Sequence, residues 1–111
     1  MPEIVYIIEN ELGGLWDTSF GVLDFGKVGK NSFHGKYSFG DGKIYGKLID
    51  KIFTGYFTEN EDSQKCVTEK YESYYWGTFE FIFNNNLNEF KGRWGVCSLP
   101  REGKWDGKKM R

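Results

Sequence analysis

The chain has 111 residues and a mass of 12.9 kDa, enough for one domain whose core buries about two-thirds of the unfolded chain's surface. Its 10 Phe, 7 Tyr, 4 Trp and 15 Gly, with only 2 Pro, exclude a low-complexity disordered chain. The 15 basic and 16 acidic residues leave a net charge of −1, so no overall field attracts nucleic acid or an anionic membrane.

The N-terminus and the two cysteines together bear on where the protein is found. The N-terminal stretch predicts a strand near residues 3–9, but it has no basic flank and too short an apolar run for a signal peptide or a membrane span. We therefore expect a cytoplasmic protein that does not contact membranes. Cys66 and Cys97 are too few for a four-cysteine zinc site, and we expect both to be reduced thiols, since a single bridge would require an oxidising compartment.

A five-residue pattern, apolar-x-Gly-x-apolar, recurs along the chain. Copies lie at residues 12–16, 33–37, 44–48, 53–57, 75–79 and 90–94, with a degenerate copy at 105–109. Because side chains two positions apart share one face of a strand, each copy presents two large residues and a glycine to a core. The pattern predicts an all-β antiparallel meander of about eight strands, a small closed or partly open up-and-down β-barrel, as a single domain over residues 1–111. The predicted strands lie near residues 3–9, 14–25, 32–39, 43–49, 52–58, 73–84, 88–97 and 103–109, and residues 59–72 are predicted to be a mobile loop.

Tight turns between these strands predict their register. A two-residue turn at Asp50-Lys51 would pair Gly46 with Gly55 and Tyr45 with Tyr56. Turns at Gly40-Asp41 and Asn84-Asn85, together with the last connection, predict three further pairs, which are Gly35–Gly46, Gly77–Gly92 and Trp94–Trp105. These pairs would align the glycines in a row, where bare backbone leaves room for neighbouring aromatic rings.

The opening Gly14-Leu15-Trp16-Asp17-Thr18-Ser19-Phe20-Gly21, with the later Gly35-Lys36-Tyr37 and Gly92-Arg93-Trp94, resembles the avidin-like and lipocalin-like up-and-down barrels. Those barrels start with Gly-x-Trp and close with aromatic-rich strands, so the resemblance implies the same architecture. In avidins an Asn and a later Ser hold biotin, and the matching positions here are Thr18 and Val22. Tyr37 matches the ligand-binding Tyr, but Phe39 stands where those proteins have a Ser, and these departures argue against biotin.

Residues 34–46 resemble one hairpin of the MORN repeats, which form open, twisted β arrays that scaffold proteins or contact lipid. This second resemblance implies an open sheet instead of a barrel. The spacings between the glycines are irregular, whereas a solenoid needs a fixed period, so the barrel is the favoured interpretation.

The residue types offer no catalytic set. The one histidine, His34, is placed on the outward face by alternation, and no nucleophile stands at a recognisable spacing from it. We therefore expect no enzyme activity, no metal and no cofactor. Nucleic-acid binding is a minor alternative, carried only by Arg93 and Lys91 on the outward face beside Trp76.

Two functions fit the pattern. The favoured one is a non-enzymatic protein-interaction or inhibitor module that binds another protein, or a second copy in a homodimer, through outward side chains of neighbouring strands. Its predicted binding residues are Tyr45, Ile49, Ile52, Tyr56, Tyr74 and Trp76. The alternative is a barrel that binds a small apolar ligand in an aromatic-lined cavity. The predicted lining of that cavity is Trp16, Tyr37, Phe57, Tyr75, Trp94 and Trp105.

Charge is distributed unevenly along the chain. Residues 1–26 carry five acidic and no basic residues, whereas residues 91–111 carry seven basic and two acidic ones. In the simpler interpretation, strands of opposite sign support each other across the sheet. In the second, the C-terminal strand forms a basic edge that docks an acidic partner through Lys104, Lys108, Lys109 and Arg111.

Overall fold

The computed structural model describes residues 13–60 and 64–110 and shows eight antiparallel strands, joined in chain order into a closed barrel. The strands are β1 (Gly14–Thr18), β2 (Gly21–Lys27), β3 (Ser32–Tyr37), β4 (Gly42–Ile49), β5 (Ile52–Thr58), β6 (Trp76–Phe83), β7 (Glu89–Val96) and β8 (Gly103–Lys109). One 3₁₀ turn, Phe39–Asp41, connects β3 to β4. The predicted all-β meander and up-and-down barrel are confirmed.

The N-terminal half differs from the predicted strand boundaries. The strand predicted near residues 3–9 lies outside the described residues. The strand predicted over residues 14–25 is two strands, because the chain reverses just after Thr18. The Thr18 hydroxyl closes this turn by donating to the carbonyl of Gly21 at 2.7 Å and accepting from the amide of Phe20 at 3.1 Å. Gly21 has a φ of 93°, which a glycine adopts without strain.

The first and last strands close the barrel. Trp16 on β1 pairs with Lys109 on β8, and Thr18 pairs with Gly107. Each of the eight strands in the described part of the chain therefore has a neighbour on both sides. This closure contradicts the open sheet implied by the MORN resemblance, and it leaves no strand edge for another chain to extend.

Aromatic side chains fill the barrel. Trp105 lies at the centre of the largest group of rings, with centroid distances of 4.9 Å to Tyr37, 5.0 Å to Phe81 and 5.2 Å to Phe20. Its indole N–H donates to the Thr18 hydroxyl at 3.2 Å, so the one polar group of this side chain is satisfied. The buried cluster consists of Trp16, Leu23, Phe25, Phe33, Tyr37, Ile44, Phe53, Phe57, Phe79, Phe81, Phe83, Leu87, Phe90 and Trp105.

Inward-facing glycines make room for these rings. The ring of Phe57 lies directly over Gly77, and that of Phe53 lies over Gly46, so a side chain at either glycine would collide with the ring. The other glycines covered by a ring in this way are Gly42, Gly92, Gly103 and Gly107. The predicted role of the glycines in accommodating aromatic neighbours is thus confirmed. In each case the ring belongs to a residue on the neighbouring strand.

The register between strands agrees with the prediction in one hairpin. Across β4 and β5, Gly46 pairs with Gly55 and Tyr45 pairs with Tyr56, as the Asp50-Lys51 turn predicts. The other three predicted pairs are wrong. The observed partners are Ile44 for Gly35, Val96 for Gly77 and Gly103 for Trp94.

Longer connections cause these shifts. Four residues, 38–41, join β3 to β4, and Gly40 and Asp41 within them have positive φ values of 63° and 53°. Between β6 and β7, the side-chain oxygen of Asn84 accepts the amides of Asn88 at 3.0 Å and Glu89 at 3.2 Å, which holds a loop longer than two residues. Each register shift is an even number of residues, so every side chain keeps its predicted face.

Candidate functional site

The six residues predicted to line a ligand cavity lie in different environments. Four belong to the closed core and are at most 4% exposed, namely Trp16, Tyr37, Phe57 and Trp105. The other two, Tyr75 and Trp94, are half-buried. An opening of about 210 Å³ remains at one end of the barrel, bordered by three of the six together with Phe20 and Phe39. Aromatic side chains fill the barrel axis among the described residues, so this opening is the part of the predicted cavity lining that borders open space.

A buried tyrosine and a carboxylate meet at the same end of the barrel. The Tyr37 hydroxyl donates to Oε2 of Glu59 at 2.5 Å. Burial of the phenol raises the pKa of Tyr37 well above its ordinary range, and the hydrogen bond to Glu59 and the charge of that carboxylate raise it further. The phenol therefore stays neutral and serves as a fixed hydrogen-bond donor.

The free energy of unfolding is expected to fall above pH 10 because of Tyr37. An unfolded tyrosine loses its proton near its ordinary pKa of 10.0, whereas the folded one keeps it, so the stability present below that pH is lost as the pH rises further. The loss amounts to about 1.4 kcal/mol per pH unit for one group. Urea unfolding from neutral to alkaline pH should give a correspondingly smaller decline in Tyr37→Phe, and equal slopes for the two proteins would contradict this assignment.

Exposed apolar side chains form a row on the outer wall of the barrel. Ile49, Ile52 and Ile82 pair in register across β4, β5 and β6, and they are 69%, 41% and 51% exposed. Further along the same wall, Tyr45 and Tyr56 form a second cross-strand pair. We call these five residues the docking face.

A shallow cleft of about 420 Å³ lies between the two rows of the docking face. Gly46 and Gly55 contribute backbone to its lining, since the face on which they lie points into the barrel. Tyr71, from the connection between β5 and β6, stacks on Tyr45 with ring centroids 4.1 Å apart and lies 5.8 Å from Tyr56. The stacked rings give the cleft an aromatic wall opposite Ile49.

Trp76 and Tyr74 were predicted to be binding residues, but they do not belong to the docking face. Trp76 points outward from β6, but it is only 3% exposed because the preceding loop covers it. Its indole N–H donates to the carbonyl of Thr68 at 2.7 Å, and Nζ of Lys70 lies 5.4 Å from the ring. Tyr74 is 42% exposed but lies within that loop, beneath Lys65. The predicted exposure of Trp76 is wrong, because alternation gives the direction of a side chain and not what covers it.

A disulfide bond fastens this loop to the barrel. Cys66 and Cys97 are bonded, with their Cα atoms 5.5 Å apart, and Cys97 follows directly after β7. The expected reduced thiols are therefore wrong, and the described part of the predicted mobile loop is held against the wall. Bonds of this kind persist in oxidising compartments, which speaks against the cytoplasmic location expected from the N-terminus.

The predicted basic edge is not an edge. β8 pairs with β7 on one side and β1 on the other, Lys109 lies 5.9 Å from the Trp16 ring, and Lys108 approaches Glu89 at 3.9 Å. Lys104 stands directly across from Arg93 on β7. Arg111 lies outside the described residues.

The one histidine and the potential metal ligands are the remaining candidates for chemistry. His34 is exposed, and its ring contacts Tyr45 at 4.9 Å between centroids. Within residues 13–60 and 64–110, no group of three His, Cys, Asp or Glu side chains is placed to hold a metal ion. No helical segment in those same ranges has the length and apolar character needed to cross a bilayer.

No family model, curated protein or solved structure matches this chain.

Three residues of the outer wall were not predicted from the sequence. Ile82 lies on the outward face by simple alternation, but its place beside Ile52 depends on the β5–β6 register, which no tight turn fixes. Tyr71 and Arg101 come from connections, and Arg101 is held by a hydrogen bond from its Nε to the Thr78 hydroxyl at 3.0 Å. The signal in the sequence for these two residues is that each connection carries an aromatic or basic side chain outside the strand pattern.

Proposed function

We propose that this protein is a non-enzymatic interaction module that binds an apolar segment of a different protein through the docking face. The observation that carries the proposal is the exposed isoleucine row, since three large apolar side chains rarely stand in register on the solvent side of neighbouring strands. Apolar anchors flanked by tyrosines are typical of the energetic centre of protein interfaces.

The charge around the cleft favours a different protein over a second copy. Lys47 and Arg101 line the cleft, and Glu80, directly across from Thr54 on β6, is the acidic side chain beside it. A symmetric dimer would bring two copies of both cations into one interface, and this excess of positive charge is unfavourable. An inhibitor that blocks its target by occupying a surface is one module of this type. For the small-ligand alternative, the predicted cavity lining borders open space at the end of the barrel, in an opening of about 210 Å³.

A phage-displayed library of linear peptides tests the proposal. We expect the selected peptides to carry large apolar residues and to bind at least tenfold more weakly to Ile52→Thr/Ile82→Thr, because each lost apolar contact is worth about 1 kcal/mol or more. Threonine keeps the β-branched shape that strands favour, so the melting temperature should change little.

The matched control is Val22→Thr. Val22 is 40% exposed on β2, away from the docking face, so its replacement should leave peptide binding unchanged. Peptides whose binding is insensitive to the isoleucine changes would contradict the proposal. A concentration-dependent dimer that Ile52→Thr/Ile82→Thr dissociates would also contradict it and would assign the face to a second copy.

A further inference from the structure

A second groove continues from the docking face across β6 and β7. It has a volume of about 650 Å³ and shares Tyr56, Thr78 and Arg101 with the cleft described above. Its other charged side chains are Lys70, Arg93 and Glu80. One face of the barrel thus presents the docking face and, directly beside it, a groove in which cations outnumber acids.

The cations of this groove outnumber the acidic side chain in its lining, Glu80. Within the described ranges, Lys70, Arg93 and Arg101 make no ion pair, although Glu80 is the cross-strand neighbour of Arg93. On its other side Arg93 faces Lys104, and like charges directly opposite each other weaken a sheet. An anion that binds over Arg93 and Lys104 would offset the repulsion between them.

The protein also fixes the positions of these cations in advance. Thr78 accepts a hydrogen bond from Nε of Arg101 at 3.0 Å, which leaves the terminal nitrogens of the guanidinium directed elsewhere. Nζ of Lys70 rests 5.2 Å from the ring of Tyr56. The disulfide holds the two connections that carry Lys70 and Arg101 against each other. Little ordering is therefore needed when a ligand binds.

We infer that this groove binds the carboxylates of an Asp- or Glu-rich segment, adjacent to the apolar segment that the docking face takes. The inference rests on the proposed function for the statement that both segments belong to one partner. Single-stranded nucleic acid fits less well, because base stacking needs free ring faces. Here Tyr71 stacks on Tyr45, and Trp76 is 3% exposed.

Binding of a fluorescein-labelled oligoglutamate, measured by anisotropy at low salt, tests the inference. We expect Arg93→Gln/Arg101→Gln to weaken binding about tenfold, and Arg93→Lys/Arg101→Lys to retain most of it because the charge is kept. The control Lys30→Gln/Lys36→Gln removes two exposed charges away from the groove and should change the affinity less than twofold. Equal losses of affinity in the two glutamine double variants would show only a general charge effect and would overturn the site. The absence of any oligoglutamate binding would also overturn it.

Two further arms separate the possible ligands and the two proposals. An oligothymidylate of the same length should bind more weakly than oligoglutamate, and tighter, arginine-dependent binding of the oligonucleotide would reassign the groove to nucleic acid. Ile52→Thr/Ile82→Thr should leave oligoglutamate binding intact. If those isoleucine changes also fail to affect the library-selected peptides, the docking face is wrong while the groove stands. If the arginine changes affect neither probe, the groove is wrong while the docking face stands.

Discussion

Gly55→Ala is expected to lower the free energy of unfolding by about 3 kcal/mol, the upper end of the usual range for overpacking, and the melting temperature by roughly 12 °C. Gly55 faces Gly46 across the β4–β5 hairpin. A Cβ atom at position 55 would overlap the carbonyl oxygen of Tyr45 and lie 2.6 Å from Cα of Gly46. Both are backbone atoms, so no side-chain rotation relieves the contact, and the two strands must separate.

Gly26→Ala is the matched control for this change. Gly26 also lies within a strand, β2, but a Cβ built there meets no atom within 4 Å. The alanine should therefore leave stability unchanged or raise it slightly, since it reduces the freedom of the unfolded chain. Thermal unfolding followed by circular dichroism measures both variants. Equal melting temperatures for Gly55→Ala and Gly26→Ala would show that the two strands do not approach as closely as described.

Loss of the disulfide is expected to have the largest effect of all. Cys66 and Cys97 are 31 residues apart in the sequence, and closing a loop of that length in the unfolded chain corresponds to about 3.7 kcal/mol in the chain-entropy model. Chemical denaturation of Cys66→Ser/Cys97→Ser should show a decrease of this size. The loop that covers Trp76 should also loosen, so tryptophan emission should shift to longer wavelength before the barrel unfolds.

Chemical reduction provides the control, because it opens the same bond without a substitution. Reduced protein should match the double serine variant in stability, and the variant itself should not respond to reductant. A thiol assay on the unreduced, denatured protein should detect no free cysteine. Two free thiols, or a stability that reductant does not alter, would show that the bond does not form in the protein.

The sequence alone predicted which way the side chains of the strands point better than it predicted their partners. Alternation of large residues and glycine assigned the inner face of β3–β8 correctly, because a strand with one buried side must repeat every two residues. The predicted pairing of Gly77 was wrong, because the Asn84 side-chain oxygen accepts a hydrogen bond from the amide of Asn88 and so holds a longer loop than the sequence suggests. The observed register shifts are even numbers of residues, so each side chain stays on its predicted face. For this reason the inward-facing residues were still predicted correctly.

The outer wall was predicted only in part for a related reason. Tyr45 and Tyr56 were paired correctly because one tight turn fixes both. Trp76 was misjudged because a connection folds back over it, and the path of that connection depends on a disulfide between distant residues. Local pattern carries no information about such long-range contacts, and for that reason it also missed Arg101.

The packing of rings over glycines affects how this sequence can drift over evolutionary time. The ring of Phe53 fills the space where a side chain at Gly46 would lie, and the ring of Phe57 does the same at Gly77. Neither member of a pair can therefore change alone without a clash or a void. A larger residue at the glycine becomes acceptable only after the ring has been lost, and loss of the ring leaves a void that only a larger residue nearby can fill. Lineages that descend from this barrel should therefore exchange these residues as couples, through intermediates of reduced fitness, and should otherwise conserve both.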